Sequence, residues 1–102
     1  MERIYECESG KKAELKQILE ADPYAEDSFA RVGYKMRDGA TLEEKKDRIY
    51  LYISASGDFI KKADEKLKDV AKSLGDDDAK RIIDKIRKEE ESAESGLGSM
   101  FG

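Results

Sequence analysis

The sequence predicts an α+β domain, a two-layer sandwich in which a three-stranded antiparallel sheet carries helices on one face. Three observations lead there. Over Arg48–Ala55, Ile49, Leu51, Ile53 and Ala55 alternate with Arg48, Tyr50, Tyr52 and Ser54, the period of a strand. After Gly57 the period lengthens, and Ile60, Ala63, Leu67, Val70, Ala71 and Leu74 fall on one side of a helix. The order of elements, strand-helix-strand-strand-helix-helix, leaves room for the third strand between the first two when their crossover is right-handed. The expected spatial order is 1-3-2, half of a ferredoxin-like layer, with the other sheet face open to water.

Arg3–Glu8 reads as the first strand, with Tyr5 and Cys7 inward, because two carboxylates on a buried face would be costly. Ser9 is placed to cap a helix over residues 10–21, where Leu15, Ile18 and Leu19 form a narrow apolar stripe. Asp22-Pro23 stops it, since the residue before proline avoids helical angles. Phe29–Arg37 reads as the second strand, with Gly33 a weak point or bulge. Thr41 and Glu44 have the spacing of a capping box, so a helical turn is expected there. Ser56 or Asp58 opens the helix after the third strand, and Gly75 closes it. Asp76, Asp77 and Asp78 place negative charge at the start of the last helix, whose buried side is Ala79, Ile82, Ile83 and Ile86. The following Arg87-Lys-Glu-Glu-Glu-Ser92 has no apolar partner and is expected to be solvated or frayed. Residues 1–94 form one domain in this reading, and 95–102 a flexible Gly/Ser-rich tail.

Charged residues make up 43% of the chain, well above the usual quarter, and acids exceed bases by 24 to 20. The excess is even: residues 1–55 and 56–102 each carry 10 basic and 12 acidic groups, so neither half reads as a basic arm for nucleic acid. Abundant Lys and Glu lean toward a thermophile source. One cysteine cannot form an internal disulfide, and no apolar run approaches a membrane span. The expectation is a cytoplasmic protein with no membrane partner.

Asp47-Arg-Ile-Tyr-Leu-Tyr-Ile-Ser-Ala-Ser-Gly-Asp58, followed by a helix, resembles the Pcc1-like accessory subunits of the archaeal KEOPS tRNA-modification complex. The likeness is one of strand order over about three quarters of the chain. It implies a strand-helix-strand-strand-helix domain that dimerises and contacts a catalytic subunit. Where the family's last helix usually has Arg and Asn near its start, this chain has Phe59-Ile-Lys-Lys-Ala63; the third helix and the tail are additional. Shared strand order alone does not carry function.

The candidate sites follow from the expected open face. Arg31, Lys35, Arg37, Arg48, Tyr50 and Tyr52 would project from it, a mix of rings and cations able to stack on bases and meet phosphates. Cross-strand Tyr and Arg pairs also stabilise a sheet that binds nothing. In the tail, Leu97, Met100 and Phe101 between glycines could anchor a docking peptide. Asp76–Asp78 lacks the alternating acids and distant Glu of a calcium loop and reads as helix capping, so no metal is expected. Ser54-Ala-Ser-Gly-Asp58 joins a strand to a helix N-terminus, but Asp58 would repel an anion. With no His and no partner to activate Cys7, no catalytic residue and no cofactor is assigned. The sequence therefore points to a small non-enzymatic binding or accessory subunit acting through protein contacts, with homodimerisation one form of them. The alternative is RNA or single-stranded nucleic-acid binding through the Tyr/Arg/Lys sheet face.

Overall fold

A computed structural model describes residues 1–22, 24–25 and 28–101, with the backbone alone described over 92–101. The elements are β1 (Glu2–Glu8), a 3-10 turn (Ser9–Lys11), α1 (Lys12–Glu20), α2 (Phe29–Val32), β2 (Lys35–Asp38), β3 (Arg48–Ser54), α3 (Gly57–Leu67), β4 (Ala71–Ser73) and α4 (Asp76–Phe101). The protein is α+β with an antiparallel sheet, as expected. The sheet has four strands, in order β2-β3-β1-β4. The expected 1-3-2 arrangement lies within it. Up to β4 the connectivity is that of a complete ferredoxin-like βαββαβ plait, with α4 added.

The fourth strand was hidden in a helical pattern. Val70, Ala71 and Leu74 continue the 3.6-residue stripe of α3, yet that helix stops at Leu67 and residues 68–70 turn. Ala71–Ser73 then pairs with β1, and Leu74 N–H donates to the Ile4 carbonyl at 2.9 Å. Pairing with a strand whose edge would otherwise stay open outweighs another helical turn. The second strand is shorter than expected. Ser28 accepts a hydrogen bond from Arg31 N–H at 3.2 Å and caps the single turn of α2, so Phe29–Val32 is helical. Gly33, with φ +89°, ends that turn in a conformation that favours glycine. The cap on α3 is Ser56, which accepts from Phe59 N–H at 3.2 Å. Ser9, by contrast, lies inside the 3-10 turn, and the N-cap position of α1 is taken by Lys11, whose side chain makes no capping bond.

Both faces of the sheet are covered, which corrects the expectation of helices on one side. On the first face Tyr5, Cys7, Ile49, Leu51 and Ile53 pack with Leu15 and Leu19 of α1, Phe29 of α2, and Phe59, Ile60, Ala63 and Leu67 of α3. Phe29 and Phe59 meet edge to face, centroids 5.4 Å apart. On the second face Ile4 and Tyr50 pack with Leu42 and with Ile82, Ile83 and Ile86 of α4. Burying each of these isoleucines contributes about 2 kcal/mol. The side chains one residue out of phase with the first core thus have a core of their own. The choice of Tyr5 and Cys7 as inward residues holds, but Ile4 is equally buried on the other side.

The connection β2–β3 supplies Leu42 to that second core. It is an irregular turn rather than the helical turn expected from Thr41 and Glu44. Gly39 fixes its path: its N–H donates to Arg48 O at 2.8 Å and its carbonyl accepts from Glu44 N–H at 2.8 Å. A Cβ on Gly39 would come within 1.8 Å of the Lys45 carbonyl oxygen, part of a backbone with no room to yield. Gly39→Ala is therefore expected to lower stability by more than about 2 kcal/mol in urea denaturation, whereas Gly10→Ala, which meets nothing within 4 Å, should cost far less.

Candidate functional site

Strand alternation does bring Lys35, Arg37, Arg48, Tyr50 and Tyr52 to one sheet face. Cross-strand register sets Lys35 opposite Tyr52 and Arg37 opposite Tyr50. Arg31 is not among them; it is exposed on α2. The open face drawn from the sequence is not present, because α4 lies across it. Tyr50 is 1% exposed and belongs to the core beneath that helix. Its hydroxyl donates to Glu6 Oε2 at 3.1 Å. Burial, with Glu6 second, pushes its phenol up to about 12. Tyr52 is half-buried, and its hydroxyl donates to Glu2.

The cations on this face already have counter-charges. Lys35 Nζ bonds Glu90, and Arg37 Nε donates to Glu89 Oε1 at 2.9 Å. Both acids come from the stretch of α4 that was expected to be solvated. Arg48 meets Asp47 at 2.7 Å and Glu6 at 3.7 Å. Lys35 also sits 5.7 Å from the Tyr52 ring centroid, a cation–π distance. What stays accessible is a groove of about 460 Å³ beside β2, lined by Val32, Gly33, Tyr34, Lys35, Tyr52 and Ser54. The docking side chains Leu97, Met100 and Phe101 lie outside the described residues; the backbone there continues α4 to Phe101.

Two polar clusters escaped the sequence reading. In the first, Tyr5 donates to Asp64 Oδ1 at 2.5 Å, while Arg3 reaches Asp64 Oδ2 at 3.3 Å and Ser73 Oγ at 3.2 Å. Burial and the Asp64 carboxylate hold the Tyr5 phenol well above its usual range, so it keeps its proton and ties β1 to α3. Arg3 shares a strand face with the inward Tyr5 and Cys7, and a cation among apolar residues was the one available sign of a counter-charge at the edge of that core. In the second, Glu44 receives two bonds from Arg81, at 3.1 and 3.0 Å, and another from Lys85. No spacing rule announces that clamp, since Glu44 and Arg81 are distant in sequence.

The other candidates stay small. Among the described residues no group of three or more His, Cys, Asp or Glu is arranged to hold a metal, and Asp76–Asp78 are exposed in the first turn of α4. Cys7 is buried, which pushes its thiol up and away from nucleophilic use. No helix among the described residues is long and apolar enough to cross a membrane. The chain matches no protein-family model, no curated protein and no solved structure.

The Arg81 and Lys85 bonds hold the Glu44 carboxyl below its ordinary range. A carboxylate depressed on folding stabilises above its unfolded pKa and loses that contribution as pH falls through the folded value. Glu44→Gln is therefore expected to cost about 1–2 kcal/mol at neutral pH. The gap to the native protein should begin to close below about pH 4.3 and vanish in stronger acid, as read by urea midpoints across pH.

Proposed function

We propose that this protein is a small non-enzymatic binding or accessory subunit that works through protein contacts. The observation that carries the reading is the length of α4. Glu90 reaches the sheet through Lys35, and the helical backbone runs on from there to Phe101. Residues 91–101 would extend about 16 Å at helical rise. A helical segment of that length is marginal on its own in water, and docking against another protein is the usual source of its stability. Leu97, Met100 and Phe101 are the large apolar residues the sequence supplies there. A second copy of the chain, giving a homodimer, is the simplest recipient. The likeness in strand order to Pcc1-like subunits is consistent with an accessory role of this kind. Covering of Tyr50 and pairing of Lys35 and Arg37 weigh against nucleic-acid binding on the sheet face.

Removal of residues 92–101 tests this. The shortened protein should keep the native thermal midpoint within a few degrees, because every described member of the two cores lies before residue 92. It should sediment as a monomer where the full chain self-associates, or lose the partner that the full chain retains. Unchanged sedimentation together with an unchanged set of bound proteins would refute the reading.

A further inference from the structure

α4 is held to the sheet by two different kinds of contact. Its first part is sealed by Ile82, Ile83 and Ile86, at most 9% exposed. From Arg87 onward the described contacts are ion pairs: Arg87 with Glu2, Glu89 with Arg37 and Glu90 with Lys35. Side chains in these pairs are between 29% and 60% exposed, the setting in which ion pairs hold weakly and are screened by salt. Glu89 adds a penalty of its own, since its Oε2 is buried with no hydrogen-bond partner. Of the two parts of the helix that these contacts hold to the sheet, the distal turn is therefore the one that opens first.

We infer that Glu89 and Glu90 act as an internal stand-in for an acidic segment of a protein partner, and that the distal turn of α4 is a strap such a segment displaces. The inference rests on the reading of the protein as a binding subunit and names its partner's chemistry. Lifting the strap frees Arg37 and Lys35 on adjacent alternate positions of β2, an anion-receptive pair. Beside them lies the groove lined by Val32, Tyr34 and Tyr52. A peptide is favoured over a polynucleotide because the groups now seated on these cations are themselves carboxylates of a polypeptide. The chain's net charge of −4 adds repulsion toward a long polyanion.

The full-length Glu89→Gln/Glu90→Gln double variant tests it, with Glu91→Gln as control. Amide hydrogen exchange at residues 87–91 should quicken by about tenfold in the double variant, with residues 79–86 unchanged. A labelled decaglutamate peptide should bind the double variant about tenfold more tightly than the native chain or the control. Adding Lys35→Gln and Arg37→Gln should remove that gain. Unchanged exchange would overturn the strap, and equal decaglutamate affinities would overturn the stand-in. A gain for a single-stranded oligonucleotide without one for decaglutamate would overturn the acidic-protein partner. The truncation at residue 92 leaves Glu89 and Glu90 in place, so either test can fail without the other.

Discussion

The structure depends on one requirement: the second face of the sheet has to be kept dry. An antiparallel sheet can leave one face wet when that face is polar. Here Ile4 and Tyr50 stand on it at 0% and 1% exposure, and they are covered by the isoleucines of α4. Without α4, Ile4, Tyr50 and Leu42 would meet water, and three isoleucines with them. That cost is of the order of the whole stability of a small domain. The last helix is thus part of the fold, and the ferredoxin-like plait beneath it is not a free-standing platform.

Much of this was legible in the sequence because its signals are local. Strand alternation over Arg48–Ser54 and the stripe Ile60, Ala63, Leu67 depend on neighbours only, and both appear where expected. Two errors came from places where one pattern serves two structures. Phe29–Val32 alternates like a strand but is a capped turn, because the Ser28 hydroxyl and the left-handed Gly33 decide the backbone. Val70, Ala71 and Leu74 keep helical spacing, but Ala71–Ser73 pairs with β1, because an edge strand was available. Local propensity lost to tertiary pairing in the second case and to capping in the first.

The candidate site was legible in part, and for a definite reason. Alternation correctly gathers Lys35, Arg37, Arg48, Tyr50 and Tyr52 on one face. It cannot say what lies above that face. The clue was present in α4, where Ala79, Ile82, Ile83 and Ile86 form an apolar stripe that needs a sheet to rest on. The first face was already filled by α1, α2 and α3. Counting apolar helix faces against sheet faces would have assigned α4 to the second side, and with it the fate of Tyr50.

The ion pairs along α4 do a different task from its isoleucines. Apolar contact is nondirectional, so the stripe alone would tolerate a helix rotated or shifted by part of a turn. The charges remove that freedom. Arg81 and Lys85 reach Glu44 in the β2–β3 connection, Arg87 reaches Glu2 on β1, and Glu89 and Glu90 reach Arg37 and Lys35 on β2. These counter-charges sit on three separate elements, and sliding the helix by one turn would break all of them together. Isolated surface pairs add little stability, but a set with a single solution fixes register. Adhesion in this protein is carried by apolar burial, and alignment by charge. This gives the high charge content a structural role that neither catalysis nor nucleic-acid binding is needed to explain.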